Sequence, residues 1–140
     1  MKKIYSIFVE QHLQKQNMNL SNAEEQLMNI IWEKKKAFMK DILEAHDEPK
    51  PASTTVATLL KRLSDKKAIS FQVYGNSREY FPLISKNDYF SGKVNLLIKT
   101  FFNNSPSQFA SFFTKETDLS EKQLESLKSI IDDQLKSKKS

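Results

Sequence analysis

Apolar residues recur at helical spacing through most of the chain from residue 20 onward, and the pattern switches to strict alternation only once. The first periodic stretch opens at Ser21-Asn22-Ala23-Glu24, where Ser followed three residues later by Glu predicts a capping box. Leu27, Met28, Ile30, Ile31 and Trp32 give this helix a broad apolar stripe, and Lys34, Lys35 and Lys36 suit the negative end of its dipole. A second helix runs from Met39 to about Ala45, burying Ile42 and Leu43, and ends before Pro49 and Pro51. The third spans Ser53 to Lys67. Val56, Leu59, Leu60 and Leu63 share one side of it, while Thr54, Thr58 and Lys61 lie opposite, flanked by Thr55, Ala57 and Arg62. From Ile69 to Leu83 apolar and polar residues alternate around Gly75-Asn76-Ser77, the pattern of a two-stranded hairpin with a tight turn.

Helical spacing returns from Asp88 to Phe102 with Tyr89, Phe90, Val94, Leu97, Ile98, Phe101 and Phe102. Asn103-Asn104-Ser105-Pro106 stops that helix and starts another, with Ser105 as N-cap and Pro106 at the first helical position. A second capping box, Ser120 to Gln123, opens the last helix, whose face carries Leu124, Leu127, Ile130, Ile131 and Leu135. The predicted fold is therefore mainly α with a small β-hairpin wing: a winged helix-turn-helix followed by a C-terminal helical region. Its divisions are an N-terminal extension at 1–19, a winged-helix domain at 20–84 and a helical dimerisation domain at 85–140. The last assignment is energetic. Three helices enclose too little interior to hide so many aromatics in a monomer, so Leu97, Phe101, Phe102, Phe109, Phe112, Phe113, Leu124, Leu127 and Ile131 are expected to pack across a twofold axis, the rival being packing back on the winged helix.

The third helix carries the candidate chemistry. Threonine is a middling helix former with a stiff, short side chain, so three of them on an outer face need a reason beyond helix stability. Close approach to a nucleic acid is one. Thr54, Thr55, Ala57 and Thr58 are the expected base-reading positions, with methyl groups for thymine and hydroxyls for either base type, and Ser53 is counted among the DNA-binding residues beside them. Lys61 is assigned to a base edge or phosphate, and Arg62, Lys66, Lys67 and the wing's Arg78 to phosphates. The rival reading makes Thr54 a helix cap and pairs Arg62 with a neighbouring acid.

Charge sharpens this assignment. The net charge is +5, and residues 34–67 hold nine Lys or Arg against five Asp or Glu, so the basic excess is local. Arg62 and Arg78, the two arginines, both fall in the expected DNA-contacting half. Composition also excludes. A chain without cysteine has no disulfide, thiolate metal site or thiol switch. His12 and His46 are isolated, Ser53 and Ser105 have no readable catalytic partners, and two glycines make no phosphate loop. No enzyme, cofactor or metal site is expected. Met1-Lys2-Lys3 and the apolar residues after it fall short of a signal peptide, and no run is long enough to span a membrane, so a cytoplasmic location without membrane insertion is expected.

The assembled residues resemble the penicillinase-repressor family, which includes the β-lactamase and methicillin-resistance repressors and the copper-transport-operon repressors. The resemblance rests on 20–24, with Leu27-Met28-Asn29-Ile30-Ile31-Trp32-Glu33-Lys34-Lys35, then on residues 54–63, Tyr80-Phe81-Pro82, Asp118-Leu119-Ser120 and Leu124-Glu125-Ser126-Leu127. It implies a homodimeric repressor of a double-stranded DNA operator with dyad symmetry, with the third helix in the major groove and the hairpin on the backbone. For the penicillin-responsive branch it also implies a membrane sensor and metallopeptidase system that relieves repression by cleaving an Asn-Phe bond in the dimerisation region. Alignment on Asp118-Leu119-Ser120 puts that bond at Phe112-Phe113, where the Phe is kept and the Asn replaced. The copper branch's carboxyl-terminal cysteine motif has no counterpart here. The competing class is a winged-helix protein-interaction module without specific DNA binding, which acids in place of Thr54, Thr58 and Lys61 would have favoured.

Overall fold

The structure, a computed structural model, describes residues 18–139, so the expected N-terminal extension lies almost wholly outside the described residues. Helix α1 (Asn22–Lys34) starts where the Ser21 hydroxyl accepts the Glu24 amide at 3.2 Å. The capping box is completed differently from its expected form. The Ser21 hydroxyl in turn donates to the Glu24 carboxylate at 3.0 Å, and that carboxylate also serves Lys66, far away in the chain.

Strand β1 (Ala37–Phe38) is short and leads directly into α2 (Met39–Ala45), whose Asp41 carboxylate accepts the Phe38 amide at 3.0 Å. A turn containing both prolines connects to α3 (Ser53–Asp65). Strands β2 (Ile69–Tyr74) and β3 (Ser77–Pro82) pair antiparallel from Ile69 opposite Pro82 to Tyr74 opposite Ser77. Gly75 has φ +61 while Asn76 has no positive φ, the pattern of a type II′ turn, in which glycine at the first central position matches the twist of the strands. Strand β1 adds to the outside of β3, with Ala37 opposite Tyr80 and Phe38 opposite Glu79, giving sheet order β1-β3-β2. The alternating pattern of the hairpin carries no sign of this third strand.

The core forms where these apolar faces converge. Leu27, Met28 and Ile31 of α1, Ile42 of α2, and Val56, Leu60 and Leu63 of α3 are all buried, and Ala68, Ile69 and Tyr80 close the sheet side. Burial of each such aliphatic side chain contributes about 1.5–3 kcal/mol relative to exposure.

Helix α4 (Lys86–Phe101) begins on this core: Tyr89 and Gly92 are buried, and Trp32 of α1 donates its indole N–H to the Ile84 carbonyl at 2.8 Å. The chain separates into two compact units, Met1–Val94 and Asn95–Ser140, so the division falls inside α4, ten residues beyond the expected 84/85 boundary. The first turns of α4 belong to the winged helix because Tyr89 is one of its core residues.

The second unit holds α5 (Pro106–Glu116) and α6 (Glu121–Lys139). Ser105 caps α5 by accepting the Gln108 amide at 3.1 Å, with Pro106 in its first turn. At α6 the full capping box forms, Gln123 accepting the Ser120 amide at 2.9 Å and Ser120 accepting the Gln123 amide at 3.1 Å. Asn103 and Asn104, at φ 54 and 57, make the turn before α5, as asparagine tolerates the left-handed region better than most residues.

Candidate nucleic-acid interface

Helix α3 separates its two faces cleanly. Val56, Leu59, Leu60 and Leu63 are buried, whereas Ser53, Thr54, Thr55, Ala57, Thr58, Lys61 and Arg62 are all exposed. The helix starts at Ser53 with Ala52 in the capping position and no side-chain cap, so Thr54 sits inside the first turn and is not spent on capping. Thr58 donates its hydroxyl back to the Thr54 carbonyl at 3.0 Å, which leaves its methyl group and the oxygen lone pairs outward. Lys61 lies 3.6 Å from Asp65 on an open surface, a weak i,i+4 pair that gives way to a stronger anion. Arg62 has no ion-pair partner among the described residues, so pairing with a neighbouring acid does not occupy it.

The two lysines after α3 diverge. Lys67, at φ 63, is exposed and has no ion pair among the described residues. Lys66 instead turns inward, donating to both Glu24 carboxylate oxygens at 3.1 and 2.8 Å and to the Asn19 carbonyl at 3.0 Å. Its assignment to phosphate is revised accordingly: all three ammonium protons have protein acceptors. Burial raises the Glu24 carboxyl, but hydrogen bonds from Lys66 and Ser21 outweigh it and hold the pKa below the ordinary glutamate value.

On the wing, Arg78 is exposed and its guanidinium sits 4.4 Å from the centre of the Phe71 ring. Stacking on an aromatic face restricts the arginine without consuming its donors. Phe71 was not singled out in the sequence, although its cross-strand diagonal to Arg78 follows from the hairpin register.

No acid interrupts the outer face of α3 before Asp65. Among the described residues no group of three or more His, Asp or Glu side chains is placed to hold a metal ion, and no helix is long and apolar enough to cross a membrane.

The expected dimerisation residues lie in or next to the second unit, where α5 and α6 bury nothing. Phe102 packs against Phe109 and Phe112 with ring centres 5.5 and 5.3 Å apart, and Phe109 stacks on Phe113 at 6.1 Å. Phe102, Phe109, Phe113 and Leu127 are half-buried, while Leu97, Phe101, Phe112, Leu124 and Ile131 stay exposed.

A helix-turn-helix whose second helix presents hydroxyls and cations, followed by a cation-bearing hairpin on the same core, defines a winged-helix transcription regulator. The chain is more narrowly placed by its relatives. The penicillinase repressor family matches residues 20–133, and the chain belongs to that family, whose members are transcriptional repressors rather than enzymes. The methicillin resistance regulatory protein MecI of Staphylococcus aureus strain N315 is 32% identical over 114 residues, which cover 80% of this chain and 92% of that protein. The penicillinase repressor of Bacillus licheniformis is 25% identical over 121 residues, covering 86% and 94% of the two chains. Among solved structures, the DNA binding domain of the repressor BlaI is 26% identical with a TM-score of 0.46, covering 51% of this chain and 88% of that one.

Proposed function

We propose that the protein is a homodimeric, sequence-specific repressor that binds an operator with dyad symmetry. The observation that carries this reading is the outer face of α3, where Thr54, Thr55, Ala57 and Thr58 present short hydrogen-bonding groups and methyls while Lys61 and Arg62 add positive charge. Side chains of that size let a helix approach base edges closely. Lys67 and Arg78 flank the face and engage phosphates, which supplies affinity and salt dependence.

The apolar surface of the second unit supports dimerisation: Phe101 at the end of α4 is 73% and Ile131 of α6 63% exposed, large values for side chains left to water. Two recognition helices related by a twofold axis meet successive major-groove faces, so half-sites lie about 10 base pairs apart. The reading places the protein in the cytoplasm with the DNA it controls. It includes relief by cleavage in the dimerisation unit, through a membrane sensor and metallopeptidase. The aligned bond, Phe112–Phe113, lies in the middle of α5, so a protease has to unwind that helix to reach an extended backbone.

Fluorescence anisotropy of the purified protein against its own upstream DNA and a scrambled duplex, at near-physiological salt, tests the proposal. A preference of about 10³-fold or more is expected of a specific regulator. Equal, salt-sensitive binding to both duplexes would refute it.

A further inference from the structure

Adjacent carboxylates in the first turn of α1 are committed to different elements. Glu24 holds Lys66, just past the end of α3, whereas Glu25 accepts the Tyr89 hydroxyl at 2.5 Å and the Lys93 ammonium at 2.6 Å, both from α4. The Lys93 ammonium also lies 5.7 Å from the centre of the Tyr89 ring, closing a three-residue cluster. Tyr89 is 1% exposed, so its hydroxyl cannot exchange Glu25 for water without moving the helix. Farther along α1, Trp32 packs on Tyr89 and Phe90 with ring centres 5.9 Å away in each case. Ring packing alone tolerates sliding and tilting, whereas charge-assisted hydrogen bonds do not.

Helix α4 continues without interruption to Phe101, beyond the unit that Glu25 belongs to. From Tyr89 to Phe101 a helix rises about 18 Å, so a tilt of about 10° at the clamp moves the far end by about 3 Å. One base-pair step is about 3.4 Å. We propose that Glu25, through Tyr89 and Lys93, is the positioning residue that fixes α4 on the DNA-binding unit and so sets the spacing between operator half-sites that the dimer accepts. This rests on the dimeric, dyad-binding reading above.

The test uses the full chain and the upstream duplex that it binds, with the two half-sites moved together or apart by one and two base pairs, beside a duplex holding one half-site. Wild-type protein is expected to lose about tenfold in affinity on the altered spacings. Tyr89→Phe, which keeps the ring, and Glu25→Gln, which keeps an acceptor, should flatten that profile to within about threefold, with half-site affinity unchanged. Lys93→Gln changes a half-exposed side chain and carries the same expectation should either of the others fail to fold. A charge-exchanged pair, Glu25→Lys with Lys93→Glu, should restore part of the spacing preference. Variants that keep the wild-type profile, or that weaken every duplex equally, overturn the proposal while leaving dyad recognition intact. A wild-type protein indifferent to spacing removes the underlying reading and this inference with it.

Discussion

Replacing Lys66 with methionine separates fold stability from DNA contact at a residue where sequence position alone points to the phosphate backbone. The Glu24 side chain is 4% exposed and its carboxylate is held by Lys66 at 2.8 Å, so removing the lysine leaves a buried charge with Ser21 but no cation beside it. Breaking a fully buried pair in this way costs about 3–5 kcal/mol. Water can reach this site from the lysine side, where 39% of the side chain is exposed, so the expected cost is nearer about 2 kcal/mol. For a unit of this size that lowers Tm by about 10 °C. Urea denaturation at pH 7 measures the loss directly. The double variant Glu24→Gln/Lys66→Met should recover about half of it, because a neutral amide pays less for burial than an orphaned carboxylate. In anisotropy titrations against salt, Lys66→Met should keep the wild-type slope. A variant of wild-type stability whose salt slope falls by about 0.9, the signature of one lost phosphate contact, would refute the assignment.

Lys67→Ala should show what Lys66→Met does not: an unchanged Tm and a salt slope reduced by about 0.9, weakening all sequences alike. Thr58→Ala should narrow the gap between correct and incorrect bases at one operator position by about 1–3 kcal/mol, read by competition with single-base variants, without loss of stability because alanine is the better helix former. Phe109→Glu puts a charge into the phenylalanine cluster and should yield monomers by sedimentation; a stable dimer would displace the interface from that cluster. Acid should destabilise the DNA-binding unit through Glu24 and Glu25. Burial raises both carboxyls, but the Lys66 and Lys93 hydrogen bonds prevail and hold both below the usual value of 4.5. Since the folded pKa values are depressed, the stabilisation is fully present above about 4.5 and is lost as pH falls below it toward the folded values. Glu25→Gln should make the urea midpoint less sensitive to pH in that window.

Local physics explains which features were legible in the chain. Helices α1, α2 and α3 and the hairpin announce themselves because each is specified by neighbours a few residues apart: a capping serine, an apolar stripe, a glycine where φ must be positive. Strand β1 is two residues long and is defined only by what it meets, Tyr80 and Glu79, so no periodicity within it could reveal it. The place of Tyr89 is hidden for the same reason: nothing near it in sequence shows that its ring closes a core built from residues sixty positions earlier. The clearest case is Lys66 beside Lys67. They are consecutive, identical in charge and equally placed to follow a recognition helix, yet one reaches back to a carboxylate 42 residues away and the other projects into solvent. A count of cations along such a helix is therefore an upper bound on its phosphate contacts. The tertiary partners decide how many remain, and the salt slope of DNA binding measures that remainder.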